Sequence, residues 1–334
     1  MLPIERDTTH YFANGDIVIS SVNKAATSTI LFRLHKVVLN HHSQVFSDMF
    51  SVPEPQAGGQ ELYEGCPLVH MSDSAEDLHY LFLYIYDPTA ILPLNPIPTD
   101  SHFNQNHVAI LLKLATKYEV DSLRNRMIAY LEAYWPSSLD EWDKLREWYH
   151  DPYEWCFRPE PVQAINLANA HDIPSIRPTV FYFLSTIRPD RDLDISEQRN
   201  DPDSTSPLAA RWNSLGAQDL LRVMQGRQKI NDFLEMVNPF LDGDDDIVEL
   251  PCLMEGPETC SHHLLEFWDR VCLRSFRNLD PLDTLTHFRD LYDGNLLCDH
   301  CILRVERNVD RLRDLFWVRT GGYFEDDDDD ELIY

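Results

Sequence analysis

Four cysteines in the last third of the chain have a spacing that could bind a metal ion. Cys298 and Cys301 form a C-x-x-C pair, which lets two thiolates reach one ion from a tight turn. Cys252 and Cys260 supply a second pair, and a structural zinc ion takes four such ligands in a tetrahedron. Because C-x7-C is wider than a usual zinc knuckle, free and buried cysteines are the alternative. The sequence thus leaves two hypotheses for a cofactor: a structural zinc ion or none.

Three histidines, His35, His41 and His42, also fall within eight positions. In one helix, His35 and His42 would lie roughly 10 Å apart, which is further than the ligands of one ion can be. His41 and His42 are adjacent and point apart, and no carboxylate at ligand spacing completes a set. We therefore expect capping, packed or exposed side chains here. Histidines near the cysteines are substitute ligands for zinc: His262, His263 and His300.

The short motifs of nucleotide-binding and hydrolytic enzymes are absent from the sequence. Neither G-x-x-x-x-G-K-[ST] nor G-x-G-x-x-G occurs, and G-x-S-x-G and H-E-x-x-H are missing too. With only 11 glycines in 334 residues, a Gly-rich phosphate loop has little support. We predict that the protein is not an enzyme, and an uncharacterised enzyme in the helical half is one alternative, since catalytic groups can assemble from distant positions.

The charge of the chain restricts its partners. The net charge is -28, and the acidic run at 325–331 accounts for only a quarter of it. Such a surface repels phosphate backbones and anionic lipids, so direct binding to nucleic acid or membrane is not expected, and partners with basic faces fit better. The N-terminus lacks an apolar signal region, no stretch is long enough to span a membrane, and the seven cysteines are an odd number. These features predict the cytoplasm or the nucleus.

Residues 16–131 show a distinctive order of predicted elements. GDIVISSV and TILFRLH predict a strand hairpin, two short helices follow with Ser43 as the N-cap of the second, and LVHM predicts a short strand. Helices with apolar stripes come next. Four motifs accompany these elements: F-x-L-H-K-x-x-L, S-x-x-F-x-x-M-F, D-x-x-x-x-L-x-x-L and L-A-x-K-Y-x-V-x-x-L.

This order and these motifs resemble a BTB/POZ domain. The resemblance implies an α+β fold with a small sheet flanked by helices, followed in this chain by an all-α C-terminal region. That region is similar to the helical second half of BTB proteins of mushroom-forming fungi, which also tend to carry a late C-x-x-C. The residues that match are Asp16, Phe32, His35, Lys36, Leu39, Ser43, Phe46, Met49, Phe50, Asp73, Leu81, Ala115, Tyr118, Val120 and Leu123.

The resemblance implies an interaction module. BTB domains dimerise, often by exchanging an N-terminal strand, and many dock a corepressor or a cullin scaffold. Asp16 and Lys36 match the acid and the base of the charged pocket at the family's dimer groove, and His35 belongs to the same signature. The segment before Asp16 is short, which argues against strand exchange, and 87–106 shows no clear copy of the hydrophobic-x-Glu element that helps some members bind cullin.

We therefore expect a homodimer that recruits another protein and so acts as an adaptor or scaffold. An adaptor of a cullin-type ubiquitin ligase is one such role. A zinc-stabilised transcriptional regulator acting through partners is another alternative. The predicted domains are an N-terminal lead (1–13), a BTB/POZ domain (14–133), a helical region (134–247), a helical Cys/His-containing region (248–324) and an acidic disordered tail (325–334).

Two further patterns lie around the middle of the chain. The segments 114–136 and 167–189 align without gaps at an offset of 53, which indicates either a repeated helix pair or the common pattern of helical hairpins. The segment 134–157 holds four tryptophans. They predict an aromatic core, and an exposed anchor for a partner is the alternative.

Overall fold

The computed structural model divides the chain into two units, Met1–Tyr134 and Trp135–Tyr334. None of the helices in the described part of the chain combines the length and the apolar character needed to cross a membrane. The structure describes residues 2–52, 61–89, 105–150, 160–190, 192, 209–236, 252–253, 260–288 and 297–325.

The first unit contains a mixed five-stranded sheet. Its strands are β1 (Ile4–Tyr11), β2 (Ile17–Val22), β3 (Thr29–Leu34), β4 (Leu62–Tyr63) and β5 (Cys66–His70), in the spatial order β1-β3-β2-β5-β4. The predicted hairpin is confirmed, because β2 and β3 pair antiparallel from Ile17 opposite Leu34 to Val22 opposite Thr29. Side chains on both faces of this hairpin are buried, since the neighbours Val18 and Ile19 in β2, and Leu31 and Phe32 in β3, are each at most 2% exposed.

The segment 1–13, which we predicted as an N-terminal lead, contains strand β1. It pairs in parallel with β3, with Ile4 opposite Thr29. Most of its side chains are exposed, so the apolar alternation that normally reveals a strand is absent. Parallel pairing with a distant partner forms this strand, and such pairing leaves no local signal in the sequence.

The described residues of the first unit also form five helices. Ser43 acts as the predicted N-cap, since its hydroxyl accepts the N–H group of Phe46 at 3.1 Å. The hydroxyl of Ser74 caps the third helix in the same way and accepts the N–H group of Asp77 at 3.2 Å. The acidic first turn of the third helix also suits its N-terminal dipole. The helices are α1 (Lys36–His42), α2 (Gln44–Ser51), α3 (Ala75–Tyr86), α4 (Gln105–Lys117) and α5 (Asp121–Tyr134).

Residues from three of the quoted motifs meet at Tyr118, directly after α4. The Tyr118 ring stacks on Phe46 with the ring centroids 5.2 Å apart. Its backbone carbonyl accepts a hydrogen bond from the Ser43 hydroxyl, and its own hydroxyl donates to the carboxylate of Asp73. Segments far apart in the sequence are therefore fixed together by the side chains that define the motifs.

The second unit is helical, as predicted. Its apolar core includes both tryptophans at its start, Trp135 and Trp142, each 1% exposed. The Trp142 ring packs edge-on against Tyr182 and Phe183. The helices are α6 (Leu139–His150), α7 (Pro161–His171), α8 (Arg177–Ser185), α9 (Ala217–Met236), α10 (Cys260–Asn278), α11 (Pro281–Thr286) and α12 (Asp299–Tyr323), with 3-10 turns at Pro174–Ile176 and Trp212–Ser214.

The position of Trp142 supports the aromatic core that we predicted for the segment 134–157. The side chains of the other two tryptophans, Trp148 and Trp155, lie outside the described residues. The predicted boundary between 247 and 248 and nearly all of the acidic tail also lie outside them.

The two aligned helix pairs turn in the same way. At the aligned positions Glu119 and Asp172, the backbone is left-handed, with φ of 48° and 51°. In each turn the next backbone N–H donates to the carbonyl five residues earlier, at 2.9 and 3.0 Å. This is the Schellman pattern that ends many helices. The match at 114–136 and 167–189 therefore extends from sequence to turn geometry, whether or not the pairs share an origin.

Candidate functional site

The residues predicted for the dimer groove lie together at one end of the hairpin. Asp16 precedes β2 and Lys36 begins α1, directly after β3. The Asp16 carboxylate accepts a hydrogen bond from the backbone N–H of Lys36 at 2.7 Å. The Lys36 ammonium lies 5.7 Å from the centroid of the Phe50 ring. Asp16 therefore caps α1, while the lysine charge lies over an aromatic face.

A small cluster of aromatic rings adjoins this pair. Phe12 stacks on Tyr86 at 4.9 Å between ring centroids and lies 5.3 Å from the His35 ring. The backbone N–H of His35 donates to the Tyr86 hydroxyl at 2.9 Å, and the His35 Nδ1 lies 3.1 Å from it. Burial raises the pKa of Tyr86. The hydroxyl therefore stays protonated near neutral pH, and His35 belongs to a packed surface cluster.

Apolar surface continues the same region. Val37, the second residue of α1, is 72% exposed. We call the combined region the groove surface, made of Phe12, Asp16, His35, Lys36, Val37, Phe50 and Tyr86. Aromatic and apolar groups beside a few charges are typical of the centre of a protein interface. From the sequence we predicted only Asp16, His35 and Lys36 as residues of this surface. Phe12 and Tyr86 could not be predicted, because only the fold brings them close to these three.

The other two histidines of the opening cluster, His41 and His42, end α1. Their rings lie 5.0 Å apart, edge to face. Burial lowers the pKa of His42, and the neighbouring His41 imidazole lowers it further.

Residues 16–134 match the model of the BTB/POZ domain family. This is the BTB domain of the chain. It covers the groove surface except for Phe12, and the five helices described for the first unit. BTB domains mediate protein–protein interactions and are not typically catalytic. No curated protein matches the chain, so the similarity to fungal proteins stays a prediction.

The four predicted zinc ligands form a second cluster, in the helical unit. The Sγ atoms of Cys252, Cys260, Cys298 and Cys301 all lie within 4.8 Å of one another. Cys260 is the first residue of α10, Cys298 is the N-cap of α12, and Cys301 follows in the first turn of that helix. Cys260 and Cys301 are buried, whereas Cys252 is exposed.

Backbone N–H groups point at two of these sulfurs. Leu253 N–H donates to Cys298 Sγ at 3.4 Å, and Cys298 N–H donates to Cys260 Sγ at 3.4 Å. Burial opposes ionisation of the Cys298 thiol, but hydrogen bonds from the backbone of Leu253 and Cys301 outweigh it and lower its pKa to about 6. Burial raises the pKa of Cys260 and Cys301.

One group of potential ligands, Asp7 with His10 and His79, was missed from the sequence. Asp7 accepts the backbone N–H of His10 at 2.7 Å and contacts His79 Nδ1 at 2.9 Å. Burial opposes ionisation of Asp7, yet these hydrogen bonds hold its pKa well below the usual range. Asp7 is thus stabilised as a carboxylate by its own neighbours. His262 and His263, which we predicted as substitute zinc ligands, instead form a separate group with Glu266.

A cleft of about 430 Å³ opens in the second unit. Among its lining residues, Arg313 contacts both carboxylate oxygens of Asp143 at 2.6 Å. Arg146 donates to Asp280 at 2.7 Å. These ion pairs connect α6 to α11 and α12, so the charged side chains have a structural role. An enzyme in the helical half therefore gains little support from the cleft.

Proposed function

We propose that this chain is an interaction protein that homodimerises through its BTB domain and recruits another protein. The observation that carries the proposal is the match of residues 16–134 to the BTB/POZ family, whose domains mediate protein–protein interactions. The proposed dimer contact is the groove surface, because Asp16, His35 and Lys36 match residues of the family's dimer groove.

The composition of the groove surface supports a contact of this kind. An apolar side chain as exposed as Val37 gains free energy when a partner covers it. The aromatic rings of Phe12 and Phe50 are half-buried, so a partner could cover the remainder without reordering them. Asp16 fixes the start of α1 and thereby the direction in which Val37 points. The contact is therefore preorganised.

Recruitment of a second protein is the other half of the proposal. The charge of -28 favours a partner with a basic face, because opposite potentials steer association. A corepressor and a cullin scaffold are the two partner classes that the BTB domain suggests. The segment that bears on cullin binding, 87–106, lies largely outside the described residues. We propose the cytoplasm or the nucleus as the site of action.

Sedimentation of the full-length protein tests dimerisation. We expect twice the 39.0 kDa mass of one chain at micromolar concentration, with dissociation on dilution. A single-chain mass at every concentration would contradict the proposal. Affinity purification followed by mass spectrometry tests recruitment, and the absence of any co-purified protein other than the chain itself would remove that half.

A zinc-stabilised transcriptional regulator is the second candidate, because the cysteine cluster offers a place for the metal. It predicts nuclear protein that co-purifies with transcription factors or corepressors. Protein confined to the cytoplasm would contradict it and leave the dimerisation proposal intact.

A further inference from the structure

We propose that Cys252, Cys260, Cys298 and Cys301 bind one structural Zn²⁺ ion. This inference goes beyond the interaction function, because the cluster belongs to the second unit and the groove surface to the first. Its failure would leave the dimerisation proposal unaffected. Four properties of the cysteines support it: their distances, their positions at helix starts, their hydrogen bonds and their exposure.

The distances between the sulfurs fit a tetrahedral ion. With Zn–S bonds of about 2.3 Å, the edge of a sulfur tetrahedron is about 3.8 Å. Cys252 Sγ and Cys298 Sγ lie 4.0 Å apart, and every pair in the group lies within 4.8 Å. Contraction by at most about 1 Å would therefore complete the tetrahedron.

Three of the four cysteines also lie at helix N-termini. Cys260 starts α10, and the C-x-x-C pair occupies the N-cap and first turn of α12, so two helix N-termini present their positive ends to the sulfurs. The N–H groups of Leu253 and Cys298 donate to sulfur as well. Hydrogen bonds of this kind orient metal ligands and spread their charge.

Neither a disulfide nor simple burial accounts as well for the cluster. A disulfide has an S–S distance of about 2.05 Å, whereas all four cysteines are free thiols and Cys252 Sγ lies 4.0 Å from Cys298 Sγ. Burial as small apolar side chains does not account for Cys252, which is exposed, or Cys298, which is half-buried. A shared ion accounts for the convergence of two buried and two more accessible cysteines on one point.

The ligand set also selects the metal. Four thiolates exclude Mg²⁺ and Ca²⁺, which take oxygen ligands, and favour zinc or iron. Because Cys252 is exposed, an iron centre would be open to oxidation, whereas Zn²⁺ has no redox chemistry. The ion would tie α10, α12 and the Cys252 segment together, so that metal binding stabilises the fold.

Metal content is the first test. Full-length protein purified under reducing conditions without chelator should contain one zinc per chain. The double variant Cys298→Ser/Cys301→Ser should lose it, while Cys272→Ser should keep it. Cys272 is the matched control, since it lies on α10 like Cys260 but its Sγ contacts the carbonyl of Leu234 at 3.7 Å.

Alkylation of the wild-type protein keeps the proposal testable if the double variant fails to fold. With zinc bound, the exposed Cys252 should react slowly, and a chelator should increase its rate at least tenfold. The rate of Cys66, which lies in the first unit, should not change.

Four results would overturn the proposal. Zinc at less than about a tenth of an equivalent would do so. The others are zinc retained by the double variant, a disulfide within the group in freshly purified protein, and iron in place of zinc.

Discussion

The carboxylate of Asp16, which precedes β2, accepts a hydrogen bond at 2.7 Å from the backbone N–H of Lys36, which follows β3. His35, the N-cap of α1, makes no capping hydrogen bond with its own side chain. Asp16 thus satisfies an N–H group that the helix start leaves open.

Asp16→Ala should therefore lower the free energy of unfolding by about 1 kcal/mol, as the loss of a helix cap does. Asp16→Asn keeps an acceptor oxygen and loses only the charge, so its cost should be smaller. Urea unfolding of both variants beside the wild type measures the difference. Equal stability of Asp16→Ala and the wild type would contradict the capping role.

Asp73 makes the first unit sensitive to acid. Its carboxylate accepts hydrogen bonds from Lys117, at 2.5 Å, and from the Tyr118 hydroxyl. Burial opposes ionisation, but these two partners outweigh it and lower the pKa of Asp73. Since the folded pKa is the lower one, this stabilisation is complete above the unfolded pKa of about 3.9 and disappears as the pH falls through the folded value.

Asp73→Asn should lower the free energy of unfolding at pH 7 by about 1 to 2 kcal/mol. The gap to the wild type should narrow below about pH 4, because protonation removes the same charge from the wild-type protein. Chemical unfolding of both proteins between about pH 3 and 7 provides the comparison. Parallel stability profiles would show that the Asp73 carboxylate does not contribute through its charge.

A buried polar network around Asp280 should be among the most sensitive sites in the second unit. Asp280 is 5% exposed and accepts hydrogen bonds from Arg146 at 2.7 Å and from the Tyr182 hydroxyl at 2.9 Å. Asp280→Ala leaves both donors without this partner and should cost about 3 to 5 kcal/mol.

Tyr182→Phe removes one neutral hydroxyl and leaves the Arg146 ion pair with Asp280, so it should cost about 1 kcal/mol. Denaturant unfolding of the two single variants gives the ranking. A larger loss of stability in Tyr182→Phe than in Asp280→Ala would contradict the central position of Asp280 in the network.

Gly226 offers a test in which packing and helix propensity predict opposite signs. It lies inside α9, where replacement by alanine normally stabilises by about 1 kcal/mol. A Cβ atom at Gly226 would overlap the buried ring of Phe324, which stacks on Phe181. Gly226→Ala should therefore destabilise the protein by about 1 to 3 kcal/mol, the usual cost of overpacking.

Gly322→Ala is the control, because a Cβ there would approach no atom within 4 Å apart from its chain neighbours and the backbone of its own helix. It should leave stability unchanged or raise it by up to about 1 kcal/mol. Thermal unfolding distinguishes the two signs. A gain in both variants would mean that the Phe324 ring moves aside at little cost.

The elements of the first unit that have a local signal could be predicted. The hairpin was visible as two short segments rich in apolar residues, and Ser43 was visible as a helix cap. Strand β1 could not be predicted, since its polar side chains reveal nothing of its parallel pairing. The contacts of Tyr118 with Ser43 and Asp73 were hidden for the same reason, although each residue belonged to a motif.

The candidate sites show the same limit. C-x-x-C spacing identified Cys298 and Cys301, but only the fold brings Cys252 and Cys260 to them. The resemblance identified Asp16 and Lys36, yet their contact runs through a backbone N–H and not through the two charges. The aromatic part of the groove surface arises from tertiary packing, which no spacing in the sequence encodes.

The most direct test of the dimer proposal compares two exposed valines by sedimentation equilibrium. Val37 belongs to the groove surface, whereas Val22 ends β2 at the opposite end from Asp16, and they are 72% and 42% exposed. Neither Val37→Glu nor Val22→Glu buries a charge in the single chain. We predict that Val37→Glu raises the dimer dissociation constant at least about tenfold, or 1.4 kcal/mol, and that Val22→Glu leaves it within about twofold. A monomeric wild type, or equal effects of the two substitutions, would contradict a dimer formed through the groove surface.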